Sequence, residues 1–167
     1  MPESPEQVAP YVYPGHHTVA ASITISDCAA AIDFYKDVFG AAEPYERFTD
    51  PNGRVGHAEL VIGDTGVMMN DEYPEMGIVS PTTLGGQTGS LTVYVPDCDA
   101  TIARAVAAGA TVTRPAADQF YGARSALIRD PFGITWGIST FLRQPSAVEM
   151  QGYVDEFRQT GDVPSDG

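Results

Sequence analysis

The stretch Ile25-Ser26-Asp27-Cys28 returns 70 residues later as Val95-Pro96-Asp97-Cys98, and this repeat decides how the chain is read. Before the first copy, TVAASITIS from Thr18 to Ser26 is β-rich and reads as a strand. Before the second, Leu91 to Val95 reads the same way, and Pro96 ends it. Asp27 and Asp97 then stand where a helix N-cap places an acceptor for orphan backbone N–H groups. Beyond Asp27, Ile32, Tyr35 and Phe39 recur at helical spacing with Val38 beside them, and Gly40 supplies a stop. Beyond Asp97 the helix carries Ile102, Ala105 and Val106 and closes at Gly109.

Working outward, each helix is followed by three strand-like runs. In the first half these are Tyr45 to Thr49, Arg54 to Ile62 and about Gly66 to Asn70, with the hairpin signal Asp50-Pro51-Asn52-Gly53 between the first two. In the second half they are Thr111 to Arg114, Ala123 to Ile128 and Ile134 to Thr140. GHAELVIGD, residues 56–64, overlays GARSALIRD, residues 122–130, at an offset of 66, which implies an internal duplication with a shorter loop in the second copy.

The chain has 167 residues, 43% of them hydrophobic and 19% charged, which predicts one globular domain over residues 16–144. Its halves span about 16–72 and 89–144. Residues 1–15 read as an extended arm, and residues 145–167 as a final helix, capped by Ser146, running into a mobile tail from Gln159. Val148, Tyr153, Val154 and Phe157 give that helix apolar surface, which Gly152 weakens. A formal charge of −13 repels phosphate backbones and anionic membranes and so argues against nucleic acid as a partner. With no long apolar run and no basic-then-apolar leader, the expected compartment is the cytoplasm. Cys28 and Cys98 form no cluster, so two buried thiols are expected rather than a disulfide or zinc site.

With the stretches AAAIDFYKDVFGA, GRVGHAELVIGD, DATIARAVAAGATV, FYGAR and RDPFGITWGI, the chain resembles the vicinal-oxygen-chelate superfamily of glyoxalases, bleomycin-resistance proteins and dioxygenases, and within it the PhnB-like branch. The resemblance covers His17 to Leu142. It implies an α+β fold: two βαβββ modules forming a cupped eight-stranded mixed sheet, helices outside, with a small-molecule cavity in a homodimer. PhnB-like relatives often carry His after DPFG, whereas Ile134 stands here.

Metal-dependent members of the superfamily place ligands on the first and last strand of each half. By alignment those positions fall on Ala20, Ser90, Gly137 and near Asn70, none a customary strong donor, so neither a metal nor another cofactor is expected. Other polar groups are better placed for chemistry. His57 and Glu59 alternate on one strand and leave the same face, where an imidazole and a carboxylate can act as base and acid or hold a polar ligand. The competing reading is a hydrogen-bonded pair on a solvated face. Ser90, Thr92 and Tyr94 share another strand face, and with Asn70, Phe120 and Tyr121 they complete the expected ligand-binding set. Trp136 is expected to point away from this set and pack under a helix. His16 and His17 read as a solvated pair, and residues 71–89 as a flap or plain linker.

Two functions follow as expectations. One is metal-independent binding of a small organic ligand. The other is a lyase, isomerase or dioxygenase activity of the same superfamily.

Overall fold

The computed structural model describes residues 11–13 and 16–161. Most of the expected arm, and the tail beyond 161, lie outside the described residues. The chain divides into two compact units, one ending at Gly86 and the other beginning at Gln87.

In the first unit, β1 (Ala21–Ile25) leads into α1 (Cys28–Phe39). The Asp27 side chain accepts from the Ala30 N–H, and Gly40 ends the helix at φ 67°, a left-handed turn that glycine adopts without steric cost. β2 (Phe48–Thr49), β3 (Val55–Ile62) and β4 (Thr65–Asp71) follow, and the sheet order is β1-β4-β3-β2. β1 pairs parallel to β4, while β3 pairs antiparallel to both neighbours. On one face Ile25, Ala58, Leu60, Val67 and Met69 are buried together with Ala31, Ile32, Tyr35 and Val38 of α1. Burying each larger aliphatic side chain there contributes roughly 1.5–3 kcal/mol. Asp71 ends β4 inside this layer, accepting from the Cys28 N–H at 2.7 Å and from the Val55 N–H, so one carboxylate fixes the start of α1 and of β3.

The link after β4, read from the sequence as a flap or plain linker, carries structure of its own. It contains a 3-10 turn (Pro74–Met76) and the short helix α2 (Pro81–Leu84). Glu72 accepts from the Ser80 N–H at 2.9 Å and from the Thr83 hydroxyl, and Arg54 lies over the Tyr73 ring while pairing with Glu75.

The second unit repeats the order with β5 (Leu91–Tyr94), α3 (Cys98–Ala107), β6 (Thr111–Gln119), β7 (Ala123–Arg129) and β8 (Thr135–Phe141), arranged β5-β8-β7-β6. Asp97 caps α3 through the Ala100 N–H, as Asp27 caps α1. Trp136, Ile138, Ala126 and Ile128 are buried on the face that α3 covers, and Trp136 Nε1 donates to Asp130 Oδ2 at 3.1 Å. β6 runs five residues past the expected end at Arg114, through Pro115. It is an edge strand with register shifts at Val112/Arg114 and Arg114/Ala117, where the ladder tolerates a residue without an N–H. The final helix α4 (Ala147–Thr160) has a full capping box at Ser146 and Glu149 and reaches past Gln159, the expected start of the tail.

The ladders refine the duplication. Ala21 pairs with Val67 and Val67 with Leu60; at the matching place Leu91 pairs with Trp136 and Trp136 with Ile128. β3 and β7 therefore correspond at an offset of 68, not the 66 of the sequence overlay. The overlay runs through the turns, and the β7–β8 connection, 130–134, is longer than the β3–β4 connection, 63–64. An even slip leaves every side chain on its face.

Candidate functional site

On the face of the first sheet turned away from α1 stand His57 and Glu59 of β3, Met68 and Asn70 of β4, and Ser22 and Thr24 of β1. Alternation along the strands puts them there, because Ala58, Leu60, Val67 and Met69 take the core face. Glu59 is only 9% exposed and is the centre of a polar cluster. His16 Nε2 lies 3.1 Å from Glu59 Oε1, and His57 Nε2 lies 3.7 Å from the same oxygen. A carboxylate only accepts, so Nε2 of His16 is the donor in the shorter contact. The Tyr45 hydroxyl is 3.3 Å from His57 Nε2. Burial, then the Glu59 carboxylate, pushes the Tyr45 phenol up to about 12 and keeps it protonated.

His16 and Glu59 form part of the wall of an open pocket of about 400 Å³, whose other walls include Tyr11, Tyr13, Ala20 and Met68. The Tyr13 ring meets the His16 ring edge-on at 5.6 Å. The expectation of a solvated His16-His17 pair is corrected here: His17 is exposed, but His16 is 7% exposed and paired. Strand alternation gives no rule for a residue outside a strand, and only a carboxylate on a neighbouring strand hints at its partner. Sequence reasoning also misses Tyr45, which it places only as a strand residue.

The other expected site residues are distributed between the units. Asn70 shares the His57/Glu59 face, but its amide donates to the Asp71 carbonyl at 2.7 Å and to the Thr24 hydroxyl at 3.3 Å. In the second unit Thr92 and Tyr94 lie on the sheet face opposite α3, and both are exposed, as is Ser90 just before β5. The Tyr121 hydroxyl is 2.9 Å from the Ser125 hydroxyl on that face. Phe120 packs against Tyr121 and against Tyr153 of α4, at 5.3 and 5.2 Å between ring centroids.

The metal positions of the superfamily can be tested against the ladders. Thr92 faces Gly137 across one sheet and Ser22 faces Met68 across the other, so the counterpart of Gly137 is Met68 rather than Asn70. Ala20, Met68, Ser90 and Gly137 offer at most one thioether and one hydroxyl, a donor set that does not fit zinc, iron or nickel. At Gly137 a Cβ would stand 2.8 Å from the Thr92 hydroxyl oxygen, so Thr92 already fills the space that a ligand side chain would need. Among the described residues, no three His, Cys, Asp or Glu side chains form a group suited to a metal ion.

Two βαβββ units with matching ladder order define the glyoxalase-type class of fold. The sequence of residues 15–138 matches the Glyoxalase/Bleomycin resistance protein/Dioxygenase superfamily, and the chain belongs to it. It is 39% identical over 132 residues to the "Uncharacterized protein Mb0911c" of Mycobacterium bovis, covering 77% of this chain and 86% of that one. Among solved structures it is similar to TioX from Micromonospora sp. ML1, with 31% identity, 74% and 98% of the two chains covered, and a TM-score of 0.57. The PhnB protein of Bacillus cereus, described as a putative 3-demethylubiquinone-9 3-methyltransferase, shares the fold at 18% identity, with 74% and 99% coverage and a TM-score of 0.57. No helix among the described residues is long and apolar enough to cross a membrane.

Proposed function

We infer that the chain is a binding protein of the glyoxalase/bleomycin-resistance type, on its PhnB-like branch, which holds a small organic ligand without a transition metal. The observation that carries this reading is the pocket of the first unit. A buried His16–Glu59 pair lies in its wall, while the neighbouring positions Ala20 and Met68 bring no metal donor of the customary kind. A volume of about 400 Å³ suits a small organic compound, and one polar pair in a largely apolar wall can fix its orientation. His57 and Glu59 act in this reading as polar groups at the ligand, with Asn70 on the same sheet face, while Ser90, Thr92, Tyr94, Phe120 and Tyr121 belong to the second unit and are proposed as binding residues of that unit alone. The working form is a cytoplasmic homodimer, in keeping with the apolar surface that α4 exposes at Val148, Val154 and Phe157.

The test is mass spectrometry of the denatured protein for a co-purifying compound, beside elemental analysis after dialysis. The expected result is an organic ligand, with less than one transition metal per ten chains and a melting temperature unmoved by zinc, nickel or manganese. About one metal per chain with a raised melting temperature overturns the reading.

A second reading has its own observation. Two imidazoles and a phenol gather about the Glu59 carboxylate, as proton transfer to or from a bound compound would require. A metal-free lyase or isomerase is that alternative. Turnover of the co-purifying compound, abolished in His57→Ala and Glu59→Gln, distinguishes it from simple binding.

A further inference from the structure

We propose that the pocket of the first unit selects an organic cation, a quaternary or protonated amine carried on an apolar body. This rests on the binding reading above and adds the charge of the ligand. Three observations point to it. Among the described residues, Glu59 is the only acidic group in the pocket wall, and no lysine or arginine lines it. The carboxylate is nearly buried, so a charge opposite it acts through little water and is screened less than at an open surface. Tyr11 and Tyr13, 81% and 64% exposed, border the same pocket and bring two aromatic rings to its rim, with the Met68 thioether also in the wall. Aromatic rings able to turn a face to the ligand, with one carboxylate beside an apolar space, attract a cation and disfavour an anion.

The hydrogen bond from His16 does not cancel this preference. A neutral imidazole that donates leaves the carboxylate its negative charge and holds it in one orientation. His57, 3.7 Å from the same oxygen, and His17, at the pocket wall, are the other imidazoles at the site. The two probes are therefore compared in the same buffer at about pH 8, so that whatever charge the imidazoles carry is common to both. The net charge of −13 adds a weak long-range attraction for the same ligands.

The experiment uses the full chain, calorimetric titration and two probes of nearly equal shape, benzyltrimethylammonium and its neutral carbon isostere neopentylbenzene. The expected result is binding of the ammonium at one per chain, at least about tenfold tighter than the isostere. Glu59→Gln is expected to remove most of that difference and leave the isostere unchanged. Tyr13→Leu, at a position 64% exposed, is expected to weaken only the ammonium, by about two- to fivefold. Equal binding of the two probes, or an ammonium affinity unchanged in Glu59→Gln, overturns the charge preference and leaves the binding reading intact. If neither probe binds wild type, the cation proposal falls. A compound co-purifying in the mass spectrum then decides separately whether the binding reading survives.

Discussion

The two units share their ladder order and their helix caps, yet they differ on the sheet face away from the helix. Through the ladders His57 corresponds to Ser125, Glu59 to Leu127, Met68 to Gly137 and Asn70 to Ser139. The first unit thus carries an imidazole, a carboxylate, a thioether and an amide where the second carries two hydroxyls, an aliphatic chain and a bare backbone. On the helix side the correspondence is conservative: Ala58 with Ala126, Leu60 with Ile128, Met69 with Ile138. Close packing restrains one face, because a changed volume there leaves a void or a clash. The other face is restrained by whatever it binds, and so the two copies have become chemically unlike.

The sharpest break between the units is expected at two glycines that the sequence overlay places together. Gly122 has φ 83°, and a Cβ there would lie 2.0 Å from the Arg143 carbonyl oxygen, on a segment whose N–H groups at Leu142 and Arg143 bond to Gly122. Gly122→Ala is expected to cost at least about 3 kcal/mol, from both left-handed strain and the backbone clash. Gly56 has no such strain, and the nearest atom that a methyl there would meet is the Tyr73 hydroxyl oxygen at 3.4 Å. Gly56→Ala is expected to change stability by less than about 1 kcal/mol. Equal effects in urea melts would show that the 142–145 segment does not sit against Gly122.

Buried aspartates come next. Asp130 accepts from the Phe132 and Ile134 N–H groups and from Trp136 Nε1, whereas Asp71 accepts from those of Cys28 and Val55. Removing either carboxylate leaves buried donors without their acceptor, and each Ala variant is expected to lose about 2–4 kcal/mol. Only Asp130→Ala should shift the fluorescence of the single tryptophan in the native state. A shift in Asp71→Ala as well would mean that the first unit's carboxylate also governs the second unit's core.

These expectations show where the sequence is legible. Strands and caps can be read because Asp27, Asp97 and the alternating apolar residues act locally, within a few positions. Proline hides the end of β6, since the sequence does not reveal that Pro115 lies on an edge strand. The glycine overlay misleads by two residues because loop length is independent of strand register. In the site, the shared face of His57 and Glu59 follows from alternation alone. The place of His16 does not, since its contact with Glu59 depends on how a segment outside the strands crosses the sheet.

The thiols separate the units by degree. Burial, then Asp71, pushes the Cys28 thiol up to about 12; burial, then Asp99, raises Cys98 as well. Both are expected to resist thiol reagents at about pH 8 in the folded protein and to react on unfolding. Because the folded value is the higher one, the stabilising contribution is complete below the ordinary thiol value of about 8.5. It is lost as pH rises through the folded value, so for Cys28 stability should decline between about 9 and 12. Cys28→Ser is expected to flatten that decline more than Cys98→Ser.

The smallest effect tests the repeat from which the fold is read. Asp27 and Asp97 each accept one N–H, from Ala30 at 3.0 Å and from Ala100 at 2.9 Å, at cap positions in exposed surroundings. With nearly equal geometry, Asp27→Ala and Asp97→Ala are each expected to cost about 1 kcal/mol, and Asn at either position to restore most of it. The helices behind the caps are not equal, however. α1 has no acidic residue in its first turn, whereas α3 has Asp99, which supplies a second negative charge near the N-terminus. Asp99 is itself engaged by Arg124, which holds its carboxyl below the usual range and shares its charge, so little compensation for a lost cap is expected from it. Near-equal losses in chemical denaturation would support that account. A markedly smaller loss for Asp97→Ala, restored to the Asp27→Ala value when Asp99→Asn is added, would show that Asp99 supports the second helix despite its ion pair.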